Sequence, residues 1–116
     1  MSRVTIIIPC FNAGDYVVAA IDSALAQTYA DLEVVVVDDG STDARTVEVL
    51  DGLKRSRTRI FRQENAGPSA ARNRAVREAT GQFILPLDAD DLFDPTYVEK
   101  AMAQMSASSN VGIVYC

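Results

Sequence analysis

Apolar positions along the chain follow two rhythms. Val4–Ile8 and Leu32–Val37 are short, nearly unbroken apolar runs rich in β-branched residues, the pattern of strands buried on both faces. Between them, Val17, Val18, Ile21, Ala24 and Leu25 recur at helical spacing behind Asp15, which can cap that helix. Ser41, Thr42 and Asp43 offer caps for a second helix carrying Val47, Leu50 and Leu53. Arg59–Arg62 reads as a shorter, more polar strand nearer a sheet edge. Pro68-Ser69 opens a third helix with Ala71, Ala75, Val76 and Ala79 on its apolar side, and Gly81 suits its C-terminal left-handed position. Phe83–Leu87 predicts a fourth strand, Pro95 the first turn of a helix through Met105, and Val111–Tyr115 a last strand. The order β-α-β-α-β-α-β-α-β predicts an α/β fold: an open, mostly parallel sheet with helices on both faces. No linker-like stretch divides the 116 residues, so residues 1–116 are expected to form a single domain. The sequence stops inside or at the end of the last predicted strand, as a natural domain or a fragment of a longer protein could.

Composition narrows the chemistry. A hydrophobic share of 48% supplies a core, yet no apolar run is long enough to cross a bilayer. Met1-Ser2-Arg3 begins no signal peptide, so a cytoplasmic location is expected. A net charge of −5 argues against nucleic acid as a partner. The basic cluster Lys54–Arg59 lacks interleaved aromatics and reads as a solvated helix end and loop. Cys10 and Cys116 are too few for a disulfide framework or a cysteine-rich zinc site and read as small hydrophobes. The sequence holds no histidine, which removes Ser-His and Cys-His catalysis. Carboxylates, hydroxyls, arginine, backbone groups or an oxygen-ligated metal are left.

Those groups gather where the predicted strands end. Pro9-Cys10-Phe11-Asn12, Asp38-Asp39-Gly40-Ser41, Gln63–Gly67 and Asp88-Ala89-Asp90-Asp91 come after successive strands, and ligands of open α/β sheets bind beyond the strands' carboxyl ends. No glycine-rich phosphate loop is present, but Mg²⁺ or Mn²⁺ held by carboxylates and substrate phosphates would justify the crowding of acids. Two residues of extended chain advance about 6–7 Å on one side, so Asp88 and Asp90 are expected to face one site. One would bind metal and the other a second metal position or a sugar hydroxyl. Asp91 is expected to turn off this line, and Asp94 to cap the helix at Pro95. Asp38-Asp39 reads equally as turn chemistry or as an acceptor for a ribose or a base N–H. Arg72, with Arg74 and Arg77 behind it, stands against the helix dipole near a helix start, a hint of phosphate or base binding strongest for Arg72.

Five stretches carry a resemblance: Val4–Asn12, Asp22–Tyr29, Glu33–Asp43, Asn65–Asn73 and Gly81–Asp91. In this order they resemble the motifs of inverting, nucleotide-sugar-dependent glycosyltransferases of the GT-A fold, family 2 type. The resemblance implies the Rossmann-like donor-binding half of such an enzyme. Pro9, Phe11 and Asn12 would line the nucleotide pocket, Asp39 would bind the base, commonly uracil, and Asp38 would sit beside it. Arg72 would contact base or phosphate. Asp88 and Asp90 match the D-x-D pair for ribose and metal, with Asp90 the first metal ligand and Asp91 the alternative. The same likeness implies a UDP-sugar donor, Mn²⁺ or Mg²⁺, and a glycan or lipid acceptor, with association at the inner face of a membrane through a missing part. The catalytic base of the family falls beyond residue 116, so no catalytic residue is named and the chain is expected to bind nucleotide weakly and transfer little sugar. A non-catalytic nucleotide- or sugar-binding module of the same fold is the alternative. A receiver-type signalling domain or aspartate-nucleophile phosphatase would need its acids after the first strand, where Pro9-Cys10-Phe11-Asn12 stands.

Overall fold

The computed structural model describes residues 2–107. Four strands, β1 (Val4–Cys10), β2 (Leu32–Asp39), β3 (Thr58–Gln63) and β4 (Phe83–Pro86), alternate with α1 (Val17–Leu25), α2 (Ala44–Gly52), α3 (Pro68–Glu78) and α4 (Tyr97–Ala107). All pairings are parallel, in the order β3-β2-β1-β4. The expected α/β architecture is present, while the predicted last strand, Val111–Tyr115, lies outside the described residues.

The two-residue repeat of a strand divides the core in two. Val4, Ile6 and Ile8 of β1 and Val34 and Val36 of β2 pack with α1, with Leu50 of α2 and with Val98 and Ala101 of α4. Ile7, Val35 and Val37 point to the other face, against Ala71 and Ala75 of α3. Two alanines leave nothing to hold α3 off the sheet, so its first turn lies close over the strand ends. Because β2 and β3 extend to one side of β1 and β4 to the other, the chain reverses direction across the sheet between β1 and β4. That reversal is where open α/β sheets form their ligand crevice.

Local chemistry departs from the sequence reading at several ends. Asp15 does not cap α1; Tyr16 holds the N-cap position without a side-chain bond, and Asp15 instead meets Arg45 at 3.2 Å. Among the three candidates for α2, Asp43 is the cap, accepting from the Thr46 N–H at 3.3 Å. Pro95 precedes the first helical residue, Tyr97, by two positions, and Asp94 secures that entry by accepting from the Thr96 N–H at 3.0 Å. Gly81 is not left-handed: α3 ends at Ala79, in extended geometry, and the positive-φ glycines among the described residues are Gly40 and Gly67. Gly81 is needed for space, since a Cβ there would lie 2.6 Å from Thr5 Oγ1 and 2.7 Å from Thr5 N. The basic cluster is more than a solvated loop. Arg55 pairs with Asp22 at 2.8 Å, Arg57 donates to the carbonyls of Leu25 and Ala30, and Arg59 meets Glu33 at 3.0 Å. Among the described residues no helix is long and apolar enough to cross a membrane.

Candidate functional site

A cleft of about 580 Å³ opens over the carboxyl ends of β1 and β2 and the first turn of α3. Pro9, Phe11, Asn12, Asp39, Arg72, Asp88 and Asp90 all line it. Asp38 does not, and Asp91 lines an adjoining groove of about 280 Å³ that shares Arg72 and Asp88 with the cleft. Residues far apart in sequence are thus brought together by strand order alone.

Alternation along β2 sends its two terminal aspartates to opposite faces. Asp38 is fully buried on the α1/α2 side, where it accepts from the Ser41 N–H at 3.1 Å and from Arg62 at 3.1 Å. It holds the β2–α2 turn. Asp39 turns to the α3 side and is 4% exposed. Its Oδ1 accepts from Gln63 at 3.0 Å and the Ala66 N–H at 2.9 Å, its Oδ2 from the Gly67 N–H at 3.0 Å and Asn65 at 3.3 Å. Burial pushes this carboxyl's pKa up, but the bonds from Gln63, Ala66 and Gly67 outweigh it and hold the group below the ordinary range. A carboxylate has about four acceptor positions, so Asp39 is already engaged in fastening the β3–α3 loop to β2. Gly40, at φ 71°, lets that loop close: a Cβ there would lie 2.6 Å from Asn65 N.

Asn12 is likewise committed. At φ 52° it turns its amide into the β2–α2 loop, where Oδ1 accepts from the N–H groups of Thr42 and Asp43, both at 2.9 Å. It presents its flank to the cleft and fastens the β1–α1 loop that carries Phe11. Phe11 is half exposed.

The acidic end is built by a turn rather than by an extended strand. β4 stops at Pro86, and the Asp91 N–H donates to the Asp88 carbonyl at 3.0 Å. The turn brings one oxygen each of Asp88, Asp90 and Asp91 within 4.8 Å of one another, all exposed. Asp91 therefore does not turn off the line of the other two, as an extended chain would require. Three hard oxygen donors at that separation suit Mg²⁺ or Mn²⁺. The loop beyond is anchored to α1: Ser23 Oγ accepts from the Phe93 N–H at 3.1 Å, and Gln27 donates to the Asp94 carbonyl at 2.7 Å.

Arg72 lines both the cleft and the adjoining groove together with Asp88. Its Nε is buried and has no hydrogen-bond partner among the described residues. A desolvated donor on a guanidinium costs free energy unless a ligand meets it. Arg74 lies over the Phe61 ring at 5.2 Å and approaches Glu78 at 3.8 Å, so of these two arginines Arg72 alone faces the cleft unpaired. The sequence reading missed Tyr16 as a cleft residue and reached Asn65 and Gly67 only as part of the rim segment Gln63–Gly67. An exposed aromatic beside a predicted helix start was the available signal for Tyr16.

Residues 5–116 match the family described as Glycosyl transferase family 2. The chondroitin synthase of Pasteurella multocida (strain Pm70) is 40% identical over 114 residues, 97% of this chain and 12% of that protein. The uncharacterized glycosyltransferase YibD of Escherichia coli (strain K12) is 36% identical over 117 residues, 99% of this chain and 33% of that one. The chain thus spans a third or less of the length of these relatives. Among solved structures, S. aureus TarS 1-349 in complex with UDP-GlcNAc superposes with a TM-score of 0.80 at 28% identity, covering 92% of this chain and 32% of that one. The mannosyltransferase PcManGT of Pyrobaculum calidifontis, in complex with GDP-Man and Mn²⁺, gives 0.79 at 29% identity, covering 90% and 32%.

Proposed function

This chain belongs to glycosyl transferase family 2, and on that premise we propose that it forms the donor-binding part of an enzyme transferring a sugar from a nucleoside diphosphate to an acceptor hydroxyl with inversion. The observation that carries the reading is one cleft lined by Asp88 and Asp90, with Asp91 clustered beside them, and by Arg72, whose buried Nε has no partner among the described residues. Asp90 and Asp91, with Asp88 beside them, would hold Mg²⁺ or Mn²⁺. When bound, that ion supplies positive charge against the leaving diphosphate. Arg72 supplies a second, fixed positive charge. Pro9, Phe11 and Asp39 bound the opposite end, where the nucleoside fits; Asp39 acts there by fixing the loop that carries Asn65 and Gly67. UDP-sugars are the favoured donors. TarS in complex with UDP-GlcNAc and PcManGT in complex with GDP-Man and Mn²⁺ support a nucleotide-sugar and a divalent ion without choosing the base.

In the reaction, the acceptor oxygen bonds to the anomeric carbon from the face opposite the diphosphate, and the carbon–oxygen bond to the diphosphate breaks with its electron pair leaving on that oxygen. The acceptor's proton passes to a carboxylate base that lies, in this reading, outside residues 1–116, together with the site for a glycan or lipid acceptor. The chain alone therefore binds nucleotide weakly and turns over little. Work at the inner face of a membrane suits a lipid acceptor and would rest on segments outside this chain. Isothermal titration of UDP, GDP and ADP with and without Mn²⁺, repeated on Asp90→Ala, tests the proposal. Mn²⁺-dependent binding lost in Asp90→Ala is expected; a folded chain that binds none of the three refutes it.

A further inference from the structure

Every stretch that carries the family resemblance reaches the cleft except Asp22–Tyr29, which supplies a lining residue neither to the cleft nor to the adjoining groove. Its polar groups bond elsewhere. Gln27, 8% exposed, donates to the carbonyls of Ser23 at 3.1 Å and Asp94 at 2.7 Å and accepts from the Val98 N–H at 2.9 Å. The Ser23 hydroxyl donates to the Ala20 carbonyl at 2.8 Å and accepts from the Phe93 N–H at 3.1 Å. The Thr28 N–H donates to the Pro95 carbonyl at 2.9 Å. Ser23, Gln27 and Thr28 thus all reach from α1 and the turn after it to the segment that follows the acidic turn.

The acidic turn has little of its own to hold it. Asp88, Asp90 and Asp91 are exposed, and their side chains accept no hydrogen bond among the described residues. Carboxylates that close repel one another. The turn is tied down on either side instead: the Leu87 N–H donates to the Ile7 carbonyl at 2.9 Å before it, and the Phe93 N–H bonds Ser23 two residues after Asp91. The Val98 N–H belongs to the first turn of α4, whose unpaired donors need partners whatever the site does. The Phe93 N–H does not, since α4 begins at Tyr97, so the bond to Ser23 serves the turn and not the helix. We propose that Ser23 and Gln27 are positioning residues for the divalent ion: from outside the cleft they hold the backbone that keeps the three carboxylates gathered before the ion arrives. Ligands ordered in advance bind more tightly because their ordering no longer opposes binding. The inference rests on the proposed donor site.

The test follows UDP binding as Mn²⁺ is raised, in the chain, in Ser23→Ala and in Gln27→Met. Outer partners of metal ligands are worth roughly ten- to a hundredfold in metal affinity, so each variant should need about tenfold more Mn²⁺ for half-maximal UDP binding. At saturating Mn²⁺ both should bind UDP within about twofold of the parent chain, because the ordering cost falls on the ion. A Mn²⁺ requirement within about twofold of the parent's in Ser23→Ala overturns the inference alone. So does UDP affinity that stays weak at saturating Mn²⁺, which would make the two residues merely structural. Should Gln27→Met fail to fold, Ser23→Ala, which removes a single oxygen, decides by itself. A parent chain that binds UDP equally well without Mn²⁺ overturns the proposed ion and this inference together, and one that binds no UDP overturns the donor site with them.

Discussion

Glu33 anchors the end of the sheet far from the cleft, and its removal gives a sharp test of the fold. Its Oε2 accepts from the Thr5 hydroxyl, the Thr80 N–H and the Thr80 hydroxyl, each at 2.7 Å, and its Oε1 accepts from Arg59 at 3.0 Å. Burial alone would raise its pKa. The four donors overcome that and bring it from 4.5 to about 2. The side chain is only 12% exposed, so water screens these bonds little. A depressed folded-state pKa stabilises the fold above the unfolded value and is lost as pH falls from about 4.5 toward 2. At 1.36 kcal/mol per unit, the full effect at pH 7 is about 3 kcal/mol, of which about 2 is gone by pH 3. Glu33→Gln keeps the shape, drops the charge and sets an amide N–H₂ against donors. Urea unfolding of both proteins at pH 7 and pH 3 should show the variant less stable by about 3 kcal/mol at the higher pH and a gap narrowed by about 2 at the lower. A gap that is the same at both pH values would refute the assignment of the shift to this cluster. Nucleotide affinity of the folded variant should not change, because the cluster sits at the amino ends of the strands.

Arg72→Met should leave unliganded stability unchanged or raise it slightly, since a buried unpaired Nε disappears, while UDP binding falls about tenfold by titration. Gly81→Ala should cost about 1–3 kcal/mol, read as a lower melting temperature, because its Cβ has only backbone and a short hydroxyl to displace. Asp39→Asn should destabilise by about 2 kcal/mol in urea, since its new N–H₂ confronts N–H groups now received by the carboxylate. Cys10 is 2% exposed and burial lifts its thiol to about 11. Alkylation at pH 8 should therefore be far slower in the native chain than in urea.

The element order is legible because strands buried on both faces and amphipathic helices write different apolar rhythms. The rim of the sheet is legible for the same reason: once the strands are placed in parallel, the loops at their carboxyl ends must share one edge. Orientation is harder. Asp38 and Asp39 are adjacent in sequence, and only the side on which α3 packs decides which one reaches the cleft. An extended chain would separate Asp91 from Asp88 and Asp90, whereas the turn closed by the Asp91 N–H gathers all three acids. Local pattern gives Asp15 to the helix start, but it is drawn to Arg45, a partner 30 positions away that no local pattern reveals. Gly81 looks like a helix terminator, yet the demand on it comes from Thr5, 76 positions distant.

The cleft draws its walls from the ends of β1, β2 and β4 and from the turn after β3. Among the described residues no single strand or helix supplies the cleft's lining. Any opening that releases one strand dissolves the site, so bound nucleotide must raise the free energy of every such opening alike. At a concentration one hundred times its dissociation constant the ligand adds about 2.7 kcal/mol. Amide exchange in β1 and β4 should then slow by the same factor, although the two strands differ in length and in what they touch. In this architecture recognition and cooperative folding are one property, and occupancy can be read at amides that never meet the ligand.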